Sequence, residues 1–186
     1  MATNIADGPR AGSAAVTPPA RRRWAILAVL CLSLFMVVVD NTIVNVALPT
    51  LSTELGASTT SLQWIVDAYT LVFAAFVLAA GALGDRFGRR RMLLIGLGIY
   101  LVGNAGASLV DSSGALTAFR VVMGLGASVI FPETLSTIVH LFPERGERAK
   151  AIGLWGATTG IAVALGPIVG GALLELSGWQ AAFWLK

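Results

Sequence analysis

Residues 61–91 read SLQWIVDAYTLVFAAFVLAAGALGDRFGRRR, and the fold turns on how they are read. Asp67 is the only charged residue between Ser61 and Leu83. At about 1.5 Å per residue, a helix over this run crosses a hydrocarbon core about 30 Å thick. Glycines at the end of the run and in the turn permit a tight reversal. Asp85, Arg86, Arg89, Arg90 and Arg91 stay in water beside them. A second apolar run, Met92 to Val110, follows at once. The segment therefore reads as two membrane spans joined by a short basic loop.

The same pattern extends in both directions. Apolar runs at 24–48, 115–142 and 151–174 bring the expected count to five complete spans. Residues 178–185 read as the entrance to a sixth. Residues 1–20 are rich in Ala, Gly, Ser, Thr and Pro without periodicity, which predicts a disordered tail. The run after Arg23 is too long for a signal peptide and has no clear small-residue cleavage site. The expected fold class is thus all-α, a polytopic helical bundle over residues 21–186 behind a short tail.

Composition agrees with lipid as the solvent. Of 186 residues, 56% are hydrophobic and 12% charged, against about 25% charged in soluble domains. The net charge of +3 does not indicate nucleic acid, because the basic residues form no stripe along one face. They mark topology instead. Of the 13 basic residues, all but Arg120 and Lys186 lie in the tail (Arg10, Arg21, Arg22, Arg23), the second loop (Arg86, Arg89, Arg90, Arg91) or the fourth (Arg145, Arg148, Lys150). The first and third loops have none. Short cytoplasmic loops carry the excess of Lys and Arg, which places the N-terminus in the cytoplasm of a cell-membrane protein.

Four ionisable residues fall inside spans: Asp40, Asp67, Arg120 and Glu133. Each costs on the order of 2.5–3.5 kcal/mol to insert at the centre of a span. Helical rise puts Asp40 about 12 Å below Leu48, and Asp67 and Arg120 each about 8 Å below Leu62 and Ala115. These three share one slab in the outer half of the membrane. Glu133 lies about 20 Å deeper than Arg120, out of reach of the others. An arginine and carboxylates at one depth offset each other's desolvation, and a carboxylate with a switchable partner can take up and release a proton. The group reads either as a proton-coupling site, with Glu133 as a further candidate, or as a static ion pair holding spans together. Asn41, Thr42 and Asn45 share a helix face beside Asp40, suited to a cavity wall or to gluing helices. His140, near the end of span four, reads as an interfacial histidine without a role. Cys31 stands alone in an apolar run and reads as a small buried hydrophobe.

Gly81-Ala82-Leu83-Gly84-Asp85-Arg86-Phe87-Gly88-Arg89-Arg90-Arg91 resembles the signature loop between spans two and three of the major facilitator superfamily. The resemblance implies a cytoplasmic latch for alternating access, formed by Gly81, Asp85, Arg86, Gly88, Arg89 and Arg90. Asp40-Asn41-Thr42-Ile43-Val44-Asn45-Val46-Ala47-Leu48-Pro49 is similar to the first-span motif of that superfamily's 14-helix drug/proton antiporters (EmrB/QacA type). Leu116, Arg120, Gly124 and Ala127 match the fourth-span motif, whose arginine the resemblance assigns to proton transfer; Met123 stands where the family has glutamine. Gly153, Gly166, Pro167, Gly170 and Gly171 resemble the antiporter motif of span five, with Ala162 at an expected glycine. Small residues let backbones approach, and Pro167 removes a backbone donor, as suits a moving contact.

The implied protein is the N-terminal portion of a multidrug exporter of the kind that confers antibiotic resistance. Its partners would be protons, a small and partly apolar substrate, the lipid bilayer and a C-terminal half beyond the present chain. By the resemblance, spans one and four line the pathway, two and five meet the other half, and three faces lipid. No cofactor and no metal is expected. The alternatives are a truncated, non-transporting membrane fragment or assembly partner, and a symporter or importer of the same fold. A membrane enzyme is disfavoured, because the sequence has no catalytic triad set, metal-spaced His or Cys, or phosphate-binding loop.

Overall fold

The computed structural model describes residues 19–177 together with Trp179, Gln180 and Phe183. Most of the expected tail and most of the expected start of a sixth span lie outside these described residues. Among the described residues five helices follow one another: α1 (Ala20–Glu54), α2 (Thr59–Phe87), α3 (Arg89–Ala107), α4 (Ser113–Leu141) and α5 (Arg145–Ser177).

Local chemistry sets the helix ends. Ser58 caps α2 by accepting from Ser61 N–H at 3.2 Å, and Ser112 caps α4 by accepting from Ala115 N–H at 3.4 Å. The arginine-rich turn is not an extended loop. Gly88 alone, at φ +95°, ends α2 by donating its N–H to Gly84 C=O at 3.0 Å and opens α3 by accepting from Arg91 and Met92. That backbone region favours glycine, so one residue reverses the chain.

The five-span expectation needs correction. Among the described residues four helices, α1, α2, α4 and α5, are long and apolar enough to cross a membrane; α3 is not among them. Its 19 residues begin with Arg89, Arg90 and Arg91 and end at Ala107, three residues short of the expected Val110. The compact turn draws the arginines into the helix and leaves a shorter apolar stretch. Helices α1, α2 and α5 instead run past both expected limits, and α4 starts two residues early. Helix α1 continues through Pro49 to Glu54, and α5 starts at Arg145 rather than at 151.

Helix α4 is the centre of the bundle. It packs extensively on α2 and α3 and more lightly on α1 and α5, while α1 and α5 form a pair of their own. Glycine makes the tight crossings. A Cβ built on Gly126 would stand 2.6 Å from Tyr100 N and 2.8 Å from Gly96 O, so only hydrogen fits between α4 and α3. Close backbone approach substitutes for the hydrophobic drive that is weak between helices in lipid. The main core runs through Val44, Leu51, Ile65, Tyr100, Leu116 and Met123. A second cluster, Leu27, Leu30, Ile138, Phe142 and Ala151, closes the end where α1, α3 and α5 begin.

Candidate functional site

Asp40 of α1 and Arg120 of α4 meet at the centre of the bundle, both fully buried, with Arg120 Nη1 donating to Asp40 Oδ2 at 2.5 Å. Helix α2 supplies the rest of the arginine's surroundings. Arg120 Nε donates to Ile65 C=O at 2.9 Å, and the guanidinium lies 4.2 Å from the centroid of the Tyr69 ring. Four residues after Arg120, Gly124 makes this possible. A Cβ there would lie 2.7 Å from Tyr69 O, so only glycine lets α2 come this close. Arg120 Nη2 is buried and has no hydrogen-bond partner among the described residues. A buried ion of this kind is costly unless paired, and its pairing here is asymmetric: one nitrogen on a carboxylate, one on a carbonyl, one on neither.

Beside the pair lies a cavity of about 340 Å³ whose walls include Asn41, Thr42 and Asn45 of α1, Tyr69 and Phe73 of α2, and Phe131 of α4. The expected polar face of α1 does therefore line a cavity. Tyr69 belongs both to the cavity wall and to the surroundings of Arg120. Asp67 does not join this group. It is exposed on α2 between Ile65 and Tyr69, the two residues that touch the arginine, because neighbouring helical positions diverge by about 100°.

The second constellation sits at the end where α2 turns into α3. Glu133 of α4 is 1% exposed and lies directly on Gly84, where a built Cβ would fall 1.7 Å from Glu133 Oε1. Its Oε2 is buried without a hydrogen-bond partner among the described residues. Gly81 lies over Pro132, with 3.6 Å from a built Cβ to the proline Cβ. Arg89 donates to Asp85 Oδ1 at 2.8 Å and to Ser136 C=O at 2.8 Å, and also contacts His140 Nδ1. Asp85 and Arg89 thus clamp the turn onto α4, whereas Arg86, Gly88 and Arg90 are exposed. His140, expected to be idle, is a partner of the clamp. Gly84 and Tyr69 were not singled out by the sequence reading. The spacing of Gly81, Gly84 and Gly88, at three and then four residues, was the available signal, since it puts them on one helix face.

The glycine motif of α5 divides in two. Gly166 lies on Thr42, whose Oγ1 would be 1.7 Å from a built Cβ, and Gly170 lies on Ile43 at 3.2 Å. Ala162, at an expected glycine, is buried in the same contact with Val39 and Ile43. Gly153 and Gly171 have nothing within 4 Å of a built Cβ, and Pro167 is exposed. At the far end of the α1–α5 pair, Arg23 binds Glu147 at 2.8 Å and lies over the Phe142 ring.

Helices of this length and apolarity, threaded by a buried ion pair and a glycine-clamped basic turn, define a multi-pass membrane protein. The chain belongs to the Major Facilitator Superfamily, whose family model matches residues 30–185. It is 42% identical over 172 residues to the multidrug efflux pump LfrA of Mycolicibacterium smegmatis, covering 92% of this chain and 34% of that protein. It is also 42% identical over 175 residues to the puromycin resistance protein pur8 of Streptomyces alboniger, covering 94% and 35%. Among solved structures, the inward-facing, unoccupied bacterial homolog of the human lysosomal transporter Spinster shares the fold, with a TM-score of 0.78 at 21% identity over 90% of this chain and 40% of that one. The chain spans about a third of the length of the curated relatives it matches. The expected superfamily is borne out.

Proposed function

We propose that this chain forms the N-terminal bundle of a proton-coupled antiporter that exports drugs or other small, partly apolar molecules by alternating access. It would work with a C-terminal half of the same transporter, and its chemistry is transport rather than catalysis. The carrying observation is the fully buried Asp40–Arg120 pair beside a cavity with both polar and aromatic walls. Protonating Asp40 would remove one charge of the pair and leave Arg120 held by Ile65 C=O and the Tyr69 ring. The arginine's unused Nη2 then gives it a donor to redirect as the pair opens. Taking up a proton and weakening a contact between α1 and α4 become a single event.

Asp85 and Arg89 act in this scheme as the latch, releasing and re-forming their hold on Ser136 and His140 as the bundle rocks. Glu133, buried against the same turn, is a second proton-coupling candidate; Asp67, exposed and apart from the pair, is the weakest. Gly153, Pro167 and Gly171 present the open side of α5 to the other half. The ends of the bundle bearing Arg22, Arg90 and Arg145 face the cytoplasm. The relatives' names, which include multidrug efflux and puromycin resistance, support export of small organic molecules.

The test is proton-driven export by the complete transporter that contains this bundle, reconstituted in proteoliposomes. Asp40→Asn is expected to abolish pH-gradient-driven drug movement while drug binding persists. Unchanged coupling in Asp40→Asn would leave the pair a static tie between helices.

A further inference from the structure

A cavity of about 670 Å³ opens at the end of the bundle where α1 and α3 begin and α4 ends. Arg22, Arg89 and Arg90 converge on it with His140, and no carboxylate lines it among the described residues. The Arg89 side chain is already engaged by Asp85 and Ser136, but the side chains of Arg22 and Arg90 are exposed and form no hydrogen bond or ion pair among the described residues. The first turns of α1 and α3 add the positive ends of two helix dipoles. Below the arginines the wall becomes apolar through Ile26, Val29, Leu93 and Leu141, and Val29 is 60% exposed. Cationic at its rim and apolar along its side, the cavity matches a molecule with an anionic head and a hydrocarbon tail.

We propose that this cavity binds the phosphate headgroup of an anionic membrane phospholipid, with Arg22 and Arg90 on the phosphate and one acyl chain along Val29 and Leu93. A free phosphate ion would satisfy the arginines but leave the apolar wall unused. A second copy of the chain would bring its own basic end to a basic site. The site contains neither Asp40 nor Arg120, but it shares Arg89 and His140 with the contacts that hold the turn on α4.

Native mass spectrometry of the full chain in detergent, supplied with phosphatidylglycerol or phosphatidylcholine, tests this. Phosphatidylglycerol is expected to be retained preferentially. Arg22→Gln with Arg90→Gln should lower its retention roughly twenty-five-fold, taking about fivefold per arginine near a membrane surface. Arg21→Gln with Arg91→Gln removes the same charge from exposed positions outside the cavity and should change retention little. Equal loss in both double variants, or equal retention of the two lipids, overturns the proposal. So does displacement of the bound lipid by millimolar inorganic phosphate, which would make the occupant a free ion. A dimer peak that vanishes in the cavity variant while lipid retention is unchanged would assign the site to a second copy instead.

Discussion

At Gly84 a single hydrogen atom leaves room for the buried Glu133 carboxylate between α2 and α4. The methyl of Gly84→Ala would occupy the place of the Glu133 carboxylate. The expected destabilisation is about 1–3 kcal/mol, the usual cost of overpacking. Adding Glu133→Ala should recover most of it, and unfolding of the single and double variants in mixed micelles gives the coupling. At the ion pair the consequence of a single change is larger. Asp40→Asn leaves a fully buried arginine without its counterion, and breaking a buried pair costs about 3–5 kcal/mol. Replacing both partners, as in Asp40→Asn with Arg120→Met, should be less destabilising than Asp40→Asn alone. If the double variant proves worse, the pair contributes more than mutual compensation.

Among the helices, α5 presents different chemistry on its two sides. Gly166 and Gly170 are filled by Thr42 and Ile43, whereas Gly171 faces open space. Gly166→Ala should therefore weaken the α1–α5 pairing by about 1–3 kcal/mol, with partial rescue by Thr42→Ala. Gly171→Ala should leave the bundle's stability unchanged or raise it by up to about 1 kcal/mol, because alanine is the better helix former and no neighbour obstructs it. Thermal unfolding of the two variants, compared directly, separates the packed glycine from the open one. The sequence motif does not distinguish the two, since packing decides which side of α5 α1 occupies. The turn after α2 shows the same limit. Its glycines and charges were legible, but the arginines' place in the first turn of α3, which shortens that helix's apolar stretch, depends on Gly88 making the whole reversal.

For the whole molecule, the distribution of basic residues predicts a membrane orientation that labelling can check. In a Cys31→Ser background, a cysteine at Ser58, between α1 and α2, should react with an impermeant maleimide added outside intact cells. A cysteine at Gly146, where α5 begins, should react only after permeabilisation. The opposite pattern would invert the bundle and move the turn between α2 and α3 to the outer surface. The central position of α4 gives this orientation its mechanical meaning. One helix carries Arg120 on the pair, Glu133 on the turn and the Ser136 carbonyl that holds Arg89, so a rigid movement of α4 disturbs all three together.

The sequence by itself determined that the chain is a multi-pass helical membrane protein of this superfamily, and that Asp40 and Arg120 share a depth while Glu133 does not. Those conclusions rest on hydropathy, helical rise and local spacing, which are properties of the chain taken one helix at a time. Only the tertiary structure decided that Asp67 faces away from the pair, that Tyr69 and the Ile65 carbonyl complete the arginine's surroundings, and that Glu133 sits on Gly84. Depth along a helix can be counted in residues, but rotation about its axis is fixed by what it packs against. In this bundle, close backbone approach at Gly124 and Gly126, with room left for side chains at Gly84 and Gly166, sets that rotation.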